Sequence, residues 1–214
     1  MAELVETFEN LKIDNTLIVK VKIKNKGIGA GGSKTNEKGK KFEELTHNEK
    51  YLLENGYSKI VIDRKGKFGY YLHKKCEETE ISFILQSGLK SYCKKFFDID
   101  VFRQPDEAYI IKNNDINKKY IIKILEKKEQ SREGSVETKL WAAPSLKREY
   151  ELVLGNKFII EYALCISSYL EKKLNNNTPK YNILKEILKE NNILIFYGDS
   201  EKYQSDINEW CNTF

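Results

Sequence analysis

Histidine is almost missing from this chain: His47 and His73 are the only two in 214 residues. The four cysteines, Cys76, Cys93, Cys165 and Cys211, stand far apart, and none belongs to a C-x-x-C pair. So few nitrogen and sulfur ligands argue against a structural zinc site, haem ligation and most histidine-based catalysis. Unpaired cysteines of this kind read as reduced thiols in an intracellular protein. Long apolar runs are also missing, since nothing approaches the ~18 residues that a spanning helix needs. The opening residues, Met1-Ala2-Glu3-Leu4-Val5-Glu6, lack a basic stretch followed by an apolar one, so neither secretion nor membrane insertion is expected. Internal repeats and long low-complexity linkers are absent as well. Chemistry in such a chain falls to carboxylates and lysines.

Those residues are plentiful. Lysine and arginine number 37 against 32 acidic residues, a net charge of +5 spread along the whole sequence. The balance permits a polyanionic partner without demanding one. With hydrophobic residues at 40%, the chain can bury one core, and a single domain over 1–214 is expected.

The pattern of apolar residues predicts mixed secondary structure. A strand is expected over 16–23, where β-branched residues alternate late in the run, and a helix over 41–54, closed by Gly56. Short strands follow at 59–62 and 69–72 around an Arg64-Lys65-Gly66-Lys67 turn. Residues 80–97 read as mostly helical, interrupted by Gly88. Two strands come next, at 106–111 and 119–129, joined by the Asn/Asp-rich turn 113–117. A long helical stretch is expected over 145–174, divided at Gly155. After the break at 175–179 come a short helix, the apolar run 193–197 and a final helix. Helices and strands interleaved in this way give an α/β domain, a mixed central sheet flanked by helices.

Gly27-x-Gly29-x-x-Gly32 matches a dinucleotide-binding fingerprint and follows the first expected strand. That fingerprint requires a helix opening at the glycines, so that its N-terminus meets the pyrophosphate. The continuation Ser33-Lys34-Thr35-Asn36-Glu37-Lys38-Gly39 is poor helix material. A P-loop is excluded because Ser33 occupies the place of its lysine. What remains is a flexible loop whose glycines and lysines can lie along a phosphate backbone.

The chemistry concentrates further on, at Pro105-Asp106 and, twenty residues past Asp106, at Glu126-Lys127-Lys128. Residues two apart on a strand share a face, so Glu126 and Lys128 point the same way. If the two strands pair, Asp106 stands beside them. Magnesium takes hard oxygen ligands and is commonly held by one or two carboxylates together with waters and a substrate phosphate. Asp106, Glu126 and the main-chain carbonyl of Lys127 are candidate Mg2+ ligands, with Mn2+ as a substitute. Lys128 is placed to orient an attacking water or to offset charge on phosphorus.

These residues resemble the PD-(D/E)xK nuclease superfamily, the fold of most type II restriction endonucleases. Segment 31–44, with its glycines and the acidic pair Glu43-Glu44, is similar to the glycine-rich loop and first helix of small restriction enzymes from bacteria and large algal viruses. Segment 133–151 is similar to the stretch that follows their catalytic strand. The resemblance covers about 27–154, the nuclease core being about 40–154 and residues 155–214 a helical and strand extension. It implies a restriction-endonuclease-like fold with the active site at one edge, Asp106, Glu126 and Lys128 as catalytic residues, and Glu43 as a helix carboxylate holding a water. It further implies magnesium-dependent hydrolysis of double-stranded DNA at a short palindrome by a homodimer in a bacterial or virus-infected cell. A structure-selective nuclease, such as a junction resolvase or repair nuclease, and a non-catalytic DNA-binding module of the same fold are the alternatives. Candidate DNA contacts in the loops are Ser33, Lys34, Thr35, Asn36, Lys38, Lys40, Gln130 and Arg132. Two other D/E-x-K matches read as decoys: Asp63-Arg64-Lys65 as a hairpin turn, and Glu137-Thr138-Lys139 as a loop. Tyr150 and Tyr162 read as core or interface aromatics.

Overall fold

The computed structural model of the chain describes residues 33–63, 66–113, 120–131 and 136–213. Seven strands form one sheet in the order of the sequence: β1 (Ser58–Val61), β2 (Tyr70–Lys75), β3 (Thr79–Leu85), β4 (Glu107–Asn113), β5 (Tyr120–Lys128), β6 (Phe158–Ile166) and β7 (Ile193–Tyr197). The first five run as an antiparallel meander, and β5, β6 and β7 are parallel. Each parallel step needs a crossover. Helices α4 (Val136–Trp141) and α5 (Ala143–Leu154) make the first, and α6 (Ser168–Leu174) and α7 (Pro179–Glu190) make the second. The remaining helices are α1 (Ser33–Leu45), α2 (Glu49–Glu54), α3 (Gly88–Phe97) and α8 (Tyr203–Asn212). The protein is thus α/β, with a mixed open sheet flanked by helices. Among the described residues no helix is long and apolar enough to cross a membrane.

Strand β5 explains the layering. Its side chains alternate between two cores: Ile122 and Ile124 pack with Tyr150, Tyr162 and Leu184 on one face, and Ile121 and Leu125 pack with Phe42, Tyr203 and Trp210 on the other. A strand covered on both faces reads as a continuous apolar run, without the polar alternation of a half-exposed one.

That property misleads the periodicity. Residues 80–97, expected to be helical, are strand β3 followed by helix α3. The break falls at Gln86, with φ 41°, and at Gly88, where a Cβ would come within 2.6 Å of the Phe68 carbonyl oxygen. The expected helical stretch 145–174 is α5, β6 and α6. Gly155, with φ 73°, ends α5, and the doubly buried β6 takes the run that follows. The expected helix 41–54 is two helices, with α1 ending at Leu45 and Asn48 buried between them.

Residues 33–39, expected to resist helix formation, open α1. Tertiary packing outweighs propensity here: Phe42 is buried against Gly198, and an i,i+4 ion pair of 3.0 Å joins Lys41 to Glu37. The strand expected at 16–23 and the glycine motif at 27–32 lie outside the described residues, as do residues 114–117 of the expected turn 113–117.

Gly198 fixes how closely α1 approaches the sheet. A Cβ there would stand 2.5 Å from Phe42 Cζ and 2.7 Å from Thr46 Cγ2. Gly198→Ala is therefore expected to push α1 outward and to lower the unfolding free energy by about 1–3 kcal/mol, the usual cost of overpacking. Denaturant titration checks it, and unchanged stability would mean that α1 is not seated on this residue.

All four thiols are free; Cys76 is exposed and Cys93, Cys165 and Cys211 are buried. Burial pushes the Cys93 and Cys165 thiols up to about 12 and raises Cys211 as well. Since the thiolate is the reactive form, a disulfide reagent at pH 8 is expected to find one fast thiol in the native protein and four after denaturation. Two or more fast native thiols would contradict this packing.

Candidate active site

Strands β4 and β5 pair in antiparallel register, with Glu107 opposite Leu125 and Ala108 opposite Ile124. Extending that register by one residue sets Asp106, just ahead of β4, opposite Glu126. Paired residues share a sheet face, and so do residues two apart on one strand. Asp106, Glu126 and Lys128 therefore stand together. Lys128 Nζ lies 2.5 Å from Glu126 Oε2 and 3.8 Å from Asp106 Oδ2, so one ammonium spans both carboxylates. Asp106 is held by the backbone: its Oδ2 accepts a hydrogen bond from the Lys127 N–H at 2.6 Å. Pro105 immediately before it has no N–H to donate and constrains where the strand begins.

The resemblance implies a site at one edge of the sheet. The candidate residues stand at one end of β4 and β5, the fourth and fifth of seven strands, and so on interior strands of the sheet. There the surrounding layers can remove them partly from water.

Desolvation is visible in the charges. Burial raises the Glu126 carboxyl above the ordinary range, Lys128 opposes the shift and Asp106 adds to it. The Glu43 carboxyl, on α1, is raised first by burial and next by the charge of Asp106, with Lys127 and Lys128 pulling the other way. Glu43 thus reaches the same electrostatic neighbourhood from a separate element, although its side chain is largely exposed.

Lys127 turns to the opposite face, as strand alternation requires. Its Nζ donates to Glu107 Oε1 at 2.6 Å and to the Thr46 carbonyl at 2.8 Å, with both side chains at most 2% exposed. Asn48 completes the Glu107 carboxylate, donating from its backbone N–H to Oε1 at 3.2 Å and from Nδ2 to Oε2 at 2.6 Å. This buried network, which sequence reasoning missed, ties the link between α1 and α2 to the strand pair carrying the site. The sequence does hold one sign of it, in that Glu107 and Lys127 occupy the alternate positions beside the site residues.

The candidate DNA contacts separate. Lys38 and Lys40 lie exposed on α1, and Lys38 Nζ donates to Ser131 Oγ at 2.9 Å, bridging α1 to the segment after β5. The same lysine lines an open groove of about 340 Å3 with Phe42, Ser131, Tyr169 and Asp199. Gln130 differs from the exposed lysines: it is buried, and its Oε1 accepts the Glu137 N–H at the start of α4 at 2.9 Å. The segment expected to be a loop over 33–41 lies within α1; the side chains of Ser33, Lys34, Thr35 and Asn36 fall outside the described residues, as does Arg132.

Both decoys are in structural positions. Asp63 follows β1 in the connection to β2. Glu137-Thr138-Lys139, expected to be a loop, belongs to α4, and the Glu137 carboxylate accepts from Tyr181 Oη at 2.7 Å and pairs with Lys180.

Among the described residues no three His, Cys, Asp or Glu side chains form a group that could hold a metal ion. The pair Asp106 and Glu126 is a set of two hard oxygen donors, both contacted by the Lys128 ammonium. That suits a cation such as magnesium, which keeps most of its waters and takes few protein ligands. Fold and site define an α/β protein whose mixed sheet gathers two carboxylates and a lysine at the end of its interior strands. No protein-family model, curated protein or solved structure matches the chain.

Proposed function

We propose that the protein is a magnesium-dependent endonuclease of the restriction type, with a restriction-endonuclease-like fold, acting on double-stranded DNA. The observation that carries this reading is the register-fixed convergence of Asp106 with Glu126 and Lys128, which follow it by twenty and twenty-two positions in sequence. Asp106, Glu126 and the Lys127 carbonyl would hold the ion. A bound magnesium supplies charge neutralisation at phosphorus and a water that ionises more readily.

The chain's own residues do the rest. Asp106 is oriented by the Lys127 N–H, so one of its oxygens is fixed before substrate arrives. Lys128, paired with both carboxylates, would orient the attacking water or meet charge growing on the phosphate oxygens. Glu43, whose carboxyl feels the charges of Asp106, Lys127 and Lys128, would accept a proton or a hydrogen bond from water there. One such site per chain cuts one strand, so a double-strand break calls for two copies about a twofold axis and a palindromic sequence.

Incubating supercoiled plasmid DNA with the protein tests the reading. Magnesium or manganese should support cleavage into discrete fragments with symmetric ends, whereas calcium should support binding with little cutting. Excess chelator should abolish cleavage. Cutting confined to branched DNA would favour a structure-selective nuclease. Binding without cutting in any metal would favour a non-catalytic module, and full activity in chelator would remove the metal from the mechanism.

A further inference from the structure

The segment entering Asp106 carries a guanidinium that the chemistry above leaves unused. Arg103 precedes Asp106 by three residues and is about half exposed, and its Nε donates to Glu149 Oε2 at 2.8 Å. Glu149 lies on α5 next to the buried Tyr150, whose ring centroid is 6.4 Å from that of Tyr162 on β6. Tyr162 pairs in register with Ile124 of β5, so it stands on the same sheet face as Glu126 and Lys128. The Arg103–Glu149 pair therefore sits over the face that holds the site, on the chain that leads into Asp106. The field agrees with this placement, because the Arg103 charge favours the ionised forms of Glu126, Tyr150 and Tyr162 against their burial.

The hydrogen bond to Glu149 uses Nε alone. The two terminal amino groups of Arg103 have no partner among the described residues. A guanidinium held at one edge keeps the opposite edge open and aimed, and that edge matches the spacing of two non-bridging phosphate oxygens. Holding it in advance also lowers the entropy lost when a ligand binds.

We propose that Arg103 is a phosphate clamp, braced by Glu149, that grips a backbone phosphate of the nucleic acid beside the one to be cut. The inference rests on the nuclease reading and deepens it: it assigns the polyanionic strand a fixed contact on the Asp106 side of the site. Arg103 acts on binding and position, and takes no part in the proton transfers.

The test measures binding of a fluorescent DNA duplex in calcium as a function of salt, together with plasmid cleavage in magnesium, for several variants. Arg103→Ala should flatten the dependence of log affinity on log salt by about 0.9, the loss of one phosphate contact. It should lower kcat/KM about 10- to 100-fold, the range for a charged hydrogen-bonded pair. Arg103→Lys should recover the salt slope but only part of kcat/KM, since it keeps the charge without the planar fork. Glu149→Gln should preserve the slope and lower kcat/KM, and it tests the brace even if Arg103→Ala folds poorly by circular dichroism. Arg148→Ala, whose guanidinium pairs with Glu151 at 2.8 Å, should leave both readouts unchanged.

Wild-type slope and rate in Arg103→Ala would overturn the clamp, as would equal slope changes in the Arg103 and Arg148 variants. Failure of the nuclease reading looks different: wild-type protein then neither cuts in magnesium nor depends on Asp106. Cleavage that requires Asp106 and ignores Arg103 would overturn the clamp alone.

Discussion

Lys128→Ala is expected to slow DNA cleavage by at least about 10²–10³-fold, the usual cost of removing one group that stabilises charge in a transition state. Asp106→Ala and Glu126→Ala should cause losses at least as large, but for a different reason. The ammonium lies 2.5 Å from Glu126 and 3.8 Å from Asp106, so it competes with any cation for the two carboxylates. Calorimetric titration with manganese should then separate the roles. Lys128→Ala should keep or tighten cation binding while losing cleavage, whereas the two carboxylate variants should lose both. Asp63→Ala and Lys139→Ala, at the decoy motifs, should cleave like wild type. Cleavage abolished by Asp63→Ala and spared by Glu126→Ala would place the chemistry elsewhere.

The second large effect is on stability. Lys127→Met leaves Glu107 as an uncompensated charge in the interior, and breaking a buried pair from one side costs about 3–5 kcal/mol. The Glu107 carboxylate would keep only its two hydrogen bonds from Asn48. The double variant Lys127→Met with Glu107→Gln should recover much of the loss, because no unpaired charge remains. Urea unfolding of the two single variants and the double variant gives the coupling directly. Equal stability of Lys127→Met and wild type would show that the pair is solvated in solution.

The two results bear on how much the sequence discloses. Asp106, Glu126 and Lys128 are legible because strand alternation is a local rule, and the two strands that carry them are consecutive and pair in register. The side chain of Lys127 is legible only as a point of alternation. Its partners Glu107, Asn48 and the Thr46 carbonyl come together through tertiary contacts that no spacing announces. The Arg103–Glu149 pair is hidden for the same reason, with 46 positions between its members. Among the elements, the meander of short strands follows from turn residues and β-branched runs. Strands β3 and β6 are obscured because both of their faces are covered, and an apolar run without alternation does not tell a buried strand from a buried helix. The helical state of 33–39 is settled by the seat of Phe42 on Gly198, far downstream.

Strand β5 holds one more buried cation, Lys123, whose side chain is fully shielded. Its Nζ donates to the carbonyl oxygens of Trp210, at 2.5 Å, and Thr213, at 2.7 Å, and lies 3.1 Å from Glu161 Oε2. The two carbonyls belong to the last turn of α8 and the residue beyond it, 87 and 90 positions downstream. One ammonium thus ties an interior strand of the sheet to the far end of α8. Displacing the last turn of α8 would take both carbonyl acceptors from Lys123 and leave a buried cation less well paired, so β5 and α8 are expected to lose their order together.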